Sequence, residues 1–151
     1  MPTKLIAVTI AIVVAAAGLL WWATAPSQMA GHSMTPPDTT ELALGAPIVD
    51  VSLPGELDQK EELGKRAFEA ACAQCHGQNA AGQNGVAPPL VHKIYEPSHH
   101  GDEAFYRAIS NGVRSHHWDF GNMPPIEGLT RADVGTIVAY VRALQSENGI
   151  Q

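Results

Sequence analysis

Cys72-Ala73-Gln74-Cys75-His76 is the stretch from which the fold of this chain follows. Two cysteines at this spacing, placed at the end of a helix, reach the two vinyl groups of one porphyrin and form thioethers with them. The histidine that comes next places an imidazole under the iron. The C-x-x-C-H pattern therefore predicts that one haem c is attached covalently here.

Other interpretations of the two cysteines explain less of the sequence. A thiol redox pair would be expected beside a βαβ pattern, which is absent, and it would leave His76 without a role. A zinc site would need further ligands, and the chain has only 2 cysteines. A disulfide between Cys72 and Cys75 would leave a small domain without a core.

Helical patterns surround the motif, and no stretch alternates as a strand does. Apolar residues at helical spacing predict a helix over 58–74 that leads into the motif. A second short helix is predicted over Asp102–Asn111 and ends at Gly112. The last helix is predicted from Thr130, which with Asp133 resembles a capping box, through Gln145. We therefore expect an all-α domain over 58–151, with Gly- and Pro-rich loops between three or four short helices.

An uncharged apolar run, Leu5–Ala23, follows Lys4 near the N-terminus. It is long enough for a helix that crosses the roughly 30 Å hydrocarbon core of a bilayer. Trp21 and Trp22 end the run, where aromatic rings favour the membrane interface. Residues 1–25 are therefore predicted to be a single-pass transmembrane anchor.

The same residues leave a second possibility open, a cleavable signal peptide. Ala23-Thr24-Ala25 resembles a cleavage site, although Pro26 would then follow the cut. In both cases Lys4, the only basic residue before residue 60, predicts a cytoplasmic N-terminus and an exported domain. The expected location is a bacterial inner membrane, with the domain in the periplasm.

Residues 26–57 show no periodicity and are rich in proline and acidic side chains, which is typical of a flexible linker. The whole chain has a net charge of -6, and this acidic balance excludes nucleic acid as a partner. Met29, His32 and Met34 form a small group of residue types that suit Cu(I), although chance in a linker explains it as well.

The chain resembles class I c-type cytochromes, which are small helical electron carriers with one haem. The resemblance covers Leu63 to Ser146 and begins with the C-x-x-C-H motif. Gly64 and Phe68, together with Ala139-Tyr140-Val141, resemble the two terminal helices that cross in that family. Ala87-Pro88-Pro89-Leu90 is similar to the loop of the family in which a proline carbonyl accepts a hydrogen bond from the proximal histidine.

The resemblance implies specific roles for several residues. Cys72 and Cys75 would form the thioethers, and Pro88 would be the acceptor for His76, the proximal iron ligand. Asn122-Met123-Pro124-Pro125 resembles the distal loop and places Met123 as the other axial ligand. Met123 is also the only methionine in 58–151, although the histidines of the domain remain rivals for that position: His92, His99, His100, His116 and His117.

Two more residues are assigned to the haem pocket from their position in the sequence. Trp118 is expected at the haem edge, with its N–H directed to a propionate, and Asn122 is expected to contact the Met123 sulfur. The expected function is electron transfer without intrinsic catalysis, between redox proteins that include membrane respiratory complexes. Alternatives are an electron-transfer subunit of a larger periplasmic dehydrogenase or oxidase, and a haem peroxidase or sensor in which the iron has two histidine ligands or an open distal position.

Overall fold

The computed structural model describes residues 14–15 and 35–151. Within this part of the chain the helices are α1 (Gln59–Ala71), α2 (Ala73–His76), α3 (Asp102–Asn111) and α4 (Arg131–Glu147). Two single turns of 3-10 helix lie at Gln78–Ala80 and Lys93–Tyr95. The described residues contain isolated β-bridges and no named strand, as the missing alternation predicts.

Capping boxes fix where the two long helices begin. At α1, Asp58 accepts the backbone N–H of Glu61, and the Glu61 carboxylate accepts the N–H of Asp58, both at 2.8 Å. At α4, Thr130 and Asp133 form the same reciprocal pair. Each box satisfies backbone donors that the first turn of a helix leaves free. The box predicted at Thr130 is thus confirmed.

The predicted bounds of the helices are close to those observed. The helix expected over 58–74 is α1 followed by α2, with Cys72 between them as the cap of both. The prediction for α3 matches its observed limits, and Gly112 ends it with a φ of 73°. The last helix continues past the predicted end to Glu147.

Helices α1 and α4 cross at Gly64. A Cβ at this position would lie 1.9 Å from the backbone oxygen of Thr136, so only glycine allows the two backbones to come this close. The rings of Phe68 and Tyr140 pack beside the crossing, with centroids 5.7 Å apart. The crossing of terminal helices that the resemblance implies is present, and it forms the centre of the main core.

Residues 35–57 differ from the flexible linker that was predicted over 26–57. The amide of Asn84 donates to the carbonyl oxygens of Thr39 (3.2 Å) and Leu42 (2.8 Å). Farther along, the Asn148 side chain bonds both backbone groups of Ser52. The segment lies along the helical domain because its backbone groups find distant partners, which local composition does not reveal.

The transmembrane anchor predicted over 1–25 lies outside the described residues, apart from residues 14–15. Met29, His32 and Met34 lie outside them as well. Among the described residues, no helix has the length and apolar character needed to span a bilayer.

Candidate functional site

The C-x-x-C-H motif folds as a short helix that continues from α1 after a break at Cys72. The backbone N–H groups of Cys75 and His76 both donate to the Cys72 carbonyl, at 3.1 and 2.9 Å. Neither cysteine forms a disulfide; Cys72 is half-buried and Cys75 is exposed. Both sulfur atoms are therefore free to form thioethers.

The electrostatics of Cys72 argue against thiol redox chemistry. Burial, together with the neighbouring Cys75, raises the pKa of Cys72 to about 11. Redox-active C-x-x-C pairs depend instead on a thiol whose pKa is lowered, because the thiolate is the nucleophile. Cys72 is thus a neutral thiol at physiological pH.

His76 is oriented by Pro88. Its Nδ1–H donates to the Pro88 carbonyl oxygen at 2.9 Å, which is the hydrogen bond that the resemblance implies. Burial lowers the pKa of His76, and the bond to Pro88 acts in the opposite direction. With Nδ1 carrying the proton, Nε2 of the neutral ring keeps a lone pair for a metal.

The loop after His76 is folded tightly, and this brings the Pro88 carbonyl to Nδ1 of the imidazole. Asn79 and Ala80 both have left-handed backbones, with φ of 55° and 58°. The N–H of Gly82 donates to the His76 carbonyl at 2.7 Å. A Cβ on Gly82 would lie 2.5 Å from the Pro89 nitrogen, so glycine is needed for the close approach.

Met123 closes a second loop, residues 113–123. Its backbone N–H and carbonyl pair with those of Val113 at 3.0 and 2.9 Å. Gly112 lies against this pair, since a Cβ there would be 2.5 Å from the Met123 oxygen. The Met123 side chain is half-buried and packs against the cluster of Ile109, Val134 and Val138. The loop is thus anchored to α3 and α4.

Trp118 lies within this loop and is 7% exposed. Its Nε1 is the one buried side-chain nitrogen or oxygen of the described residues without a hydrogen-bond partner. Tyr95 lies near the indole. Burial raises the pKa of Tyr95, and the Trp118 indole acts in the opposite direction. The distance and angles between the two groups nevertheless do not make a hydrogen bond, so Tyr95 is not an acceptor for Nε1. The indole N–H is therefore a buried donor that an acceptor from outside the chain could satisfy.

Asn122 lies in the same loop and holds it together through its side-chain oxygen. Its Oδ1 accepts the backbone N–H of Ser115 at 2.9 Å. The Ser115 hydroxyl in turn donates to the Trp118 carbonyl. Asn122 thus bonds the backbone of the loop across seven residues.

The remaining histidines fall into two places. His92 caps the second 3-10 turn, where its Nδ1 accepts the N–H of Ile94 at 3.2 Å, and its ring contacts Trp118 edge-on. The other four lie together, because the turn after the second 3-10 helix meets the 113–123 loop. The turn carries His99 and His100, and the loop carries His116 and His117.

Sequence reasoning missed three polar residues that support the site. Gln83 donates to the carbonyls of Ala73 and Gln74 at 3.3 and 2.8 Å and so caps the motif helix. Gln145 and Arg142 of α4 bond the backbone of 90–100. The polar Gln145 within the apolar stripe of the last helix was the only sequence signal for this contact.

The side chains fit haem c as a group. Two uncombined thiols precede an imidazole whose Nε2 is available, and the Trp118 indole offers a buried donor without an acceptor in the part of the chain that the structure describes. A haem carboxylate is the kind of acceptor that such a donor requires. The family model for cytochrome c matches residues 61–145.

The chain belongs to the cytochrome c family. Membership implies covalently bound haem c. The matched residues 61–145 include the motif cysteines and nearly all of the four helices; only the first two residues of α1 and the last two of α4 lie outside them.

The chain is also similar to curated relatives. It is 35% identical over 89 residues to the Cbb3-type cytochrome c oxidase subunit CcoP of Helicobacter pylori strain 26695. The 89 matched residues are 58% of this chain and 29% of the relative. The same subunit from strain 52 is also 35% identical over 89 residues, which is 28% of that relative. The match thus spans less than a third of the length of these relatives.

Proposed function

We propose that this cytochrome is a single-haem electron carrier, attached to a bacterial inner membrane by residues 1–25, with its haem domain in the periplasm. Cys72 and Cys75 would hold the haem, and His76 and Met123 would be the axial ligands. When bound, haem c supplies a one-electron Fe(III)/Fe(II) couple. Its partners would be a donor and an acceptor among redox proteins, including membrane respiratory complexes.

The observation that carries this proposal is the hydrogen bond between His76 and Pro88. It fixes both the tautomer and the orientation of the imidazole directly after the two free thiols. Such bonding raises the basicity of a ligating histidine and holds its ring in one position. An electron carrier needs this rigidity, because a site that moves little between oxidation states exchanges electrons with little reorganisation.

The backbone pairing of Met123 with Val113 supports a closed distal side. Two hydrogen bonds hold the methionine in place at the base of the loop, with Gly112 packed against them. A peroxidase would need an open distal position with acid–base residues beside it. Permanent thioether ligation favours an electron carrier and raises the haem potential relative to two imidazoles.

A second candidate is an electron-transfer subunit of a larger oxidase. The named relatives are oxidase subunits, and the 89 matched residues amount to less than a third of their length. Under this proposal the site residues keep the same roles, and the acceptor is a permanent neighbour within a complex. Purification from membranes under mild conditions distinguishes the two: a subunit is recovered in a stable complex, whereas a carrier is recovered alone.

The test is a reduced-minus-oxidised spectrum of membranes that contain the full chain, recorded for wild type and for Met123→Ala. Wild type should show a low-spin c-type spectrum and should not bind CO when reduced. Met123→Ala should bind CO and should have a lower midpoint potential. CO binding by the reduced wild-type protein would rule out Met123 as a permanent ligand.

A matched variant tests the alternative ligands. His117→Ala removes a histidine from the same loop and should leave the haem spectrum unchanged. Replacement of Cys72 or Cys75 by alanine leaves at most one thioether, and little mature haem protein should accumulate. A colourless protein with two alkylatable thiols would overturn the proposed function altogether.

A further inference from the structure

Three histidine side chains from two separate loops meet on the surface of the domain. The ligand atoms of His99, His100 and His117 all lie within 4.8 Å of one another. His99 and His100 follow the second 3-10 turn, whereas His117 belongs to the 113–123 loop. None of the three is a ligand in the proposed function, so this group has no role there.

The spacing of the closest pair suits a shared metal ion. Nε2 of His99 and Nε2 of His117 are 3.3 Å apart. Two imidazole nitrogens bound at about 2.0–2.1 Å to a tetrahedral ion such as zinc are about 3.3 Å from each other. The two nitrogens also meet the geometry of a hydrogen bond, and a bound ion would take the place of the shared proton.

His100 is held in place for binding before any ion arrives. Its Nδ1–H donates to the carbonyl oxygen of Ile94 at 2.6 Å, which leaves Nε2 free as a ligand atom. Its own carbonyl accepts an N–H of Arg142 from α4 at 2.5 Å, and Arg142 also donates to Tyr95. A hydrogen bond from the second ring nitrogen to a carbonyl is the usual support of a metal-bound histidine.

Burial favours the neutral form of two of the three imidazoles. Burial, and then the neighbouring His116, lowers the pKa of His117, while burial is the main cause of the lowered pKa of His100. Arg142 is the nearby cation, and its guanidinium is paired with Asp102 at 3.0 Å. Neutral rings are the form that binds metal, so burial of His100 and His117 acts in the direction that favours binding.

We propose that His99, His100 and His117 bind one divalent transition-metal ion of the zinc and copper class, at a site separate from the haem. Imidazole ligands suit these ions, whereas magnesium and calcium require oxygen ligands. Three histidines leave one position of a tetrahedral ion for water or for a ligand from a partner. The site joins the 95–100 turn to the 113–123 loop, so bound metal would hold these two segments together.

Calorimetric titration of the haem-loaded full chain with Zn²⁺ tests the proposal. The protein must carry no polyhistidine tag. Wild type should bind one equivalent of zinc. In His117→Ala the affinity for zinc should fall by more than about a hundredfold, because loss of an outer support of a ligand alone costs about 10–100-fold. X-ray absorption at the zinc edge should show three nitrogen ligands from imidazole.

His116→Ala is the matched control. It removes a histidine from the same loop, but His116 lies outside the three-residue group and its Nδ1–H donates to the Arg114 carbonyl at 2.9 Å. The zinc affinity of His116→Ala should stay within about tenfold of wild type, because loss of even an outer support of a ligand costs up to about 100-fold. Equal losses in His116→Ala and His117→Ala, or unchanged binding in both, would overturn the site.

The visible spectrum keeps this test independent of the proposed function. His117→Ala should retain the haem spectrum of wild type, which shows that the domain is folded while zinc binding is lost. Failure of haem attachment would contradict the electron-transfer proposal whatever the zinc result is. Normal haem with no zinc bound by wild type would remove the metal site alone.

Discussion

The carbonyl oxygen of Pro88 lies 2.9 Å from Nδ1 of His76 and accepts its proton in a hydrogen bond. The two residues are 12 positions apart, and the loop between them contains Gly82, whose φ is +74°. A side chain on Gly82 would meet the backbone of both Pro88 and Pro89. This glycine therefore controls how well the proximal histidine is held.

We predict that Gly82→Ala weakens the bond between His76 and Pro88. A Cβ at residue 82 would lie 3.0 Å from the Pro88 carbonyl carbon and 2.5 Å from the Pro89 nitrogen, so the loop must shift. Loss of this bond makes the imidazole a weaker donor to iron, which should raise the midpoint potential. Redox titration of the haem protein measures the change.

Gly128→Ala is the control, because Gly128 also has a positive φ, +84°, and a Cβ there would meet no atom within 4 Å. Both variants incur about 1–2 kcal/mol of backbone strain, but only Gly82→Ala adds a clash. Denaturant unfolding should rank Gly82→Ala as the less stable variant. Equal potentials in the two variants would show that the hydrogen bond does not depend on Gly82.

Local patterns were enough to predict the parts of the fold that depend on nearby residues. The bounds of α3 and the Thr130–Asp133 capping box follow from short-range spacing, whereas the place of Gly64 in the helix crossing was implied by the family resemblance. The assignments of axial ligands and thioethers stay predictions, although the bond between His76 and Pro88 is present.

Features that depend on distant partners could not be predicted in this way. Asn84 binds residues 42 and 45 positions away, which attaches a segment whose composition suggested a flexible linker. Nothing in the sequence places His99 beside His117, because the two residues lie in separate loops on either side of α3. Long-range hydrogen bonds are specified by the folded backbone rather than by any local periodicity.

Replacing Gly64 with alanine should destabilise the domain severely. The added Cβ would lie 1.9 Å from the backbone oxygen of Thr136, and backbone atoms of a packed helix cannot move aside at low cost. Overpacking costs about 1–3 kcal/mol where side chains can adjust, so we expect at least the upper end of this range. Chemical denaturation of the haem protein measures the loss.

Gly135→Ala provides the comparison within a helix. The Cβ would meet only the Tyr106 hydroxyl at 2.9 Å, the free end of a side chain that can turn away. Alanine is favoured over glycine in a helix by about 1 kcal/mol, so this variant should be close to wild type or slightly more stable. Similar losses for Gly64→Ala and Gly135→Ala would contradict the close crossing.

Gln145→Leu should loosen the 90–100 segment. Gln145 is completely buried, and its Nε2 donates to the carbonyls of Leu90 (2.7 Å) and Tyr95 (3.1 Å). Leucine leaves the Leu90 carbonyl without this donor, and an unsatisfied buried group costs about 1–3 kcal/mol. The same change at the exposed Gln59 should alter the free energy of unfolding by less than about 0.5 kcal/mol. Faster hydrogen exchange confined to 90–100 in Gln145→Leu would locate the effect.

Trp118→Phe tests the donor that has no acceptor within the described protein. The indole Nε1 is buried and unpaired, while the ring packs against His92 and Phe120, with centroids 5.6 and 5.5 Å away. Phenylalanine keeps an aromatic ring, although a smaller one, and removes the N–H. If that group donates to a haem carboxylate, its loss leaves more negative charge near the iron, which favours Fe(III) and lowers the midpoint potential.

Trp22→Phe, the same substitution in the N-terminal segment, should leave the potential at its wild-type value. A Trp118→Phe protein with the wild-type potential would mean that the indole does not donate to the haem.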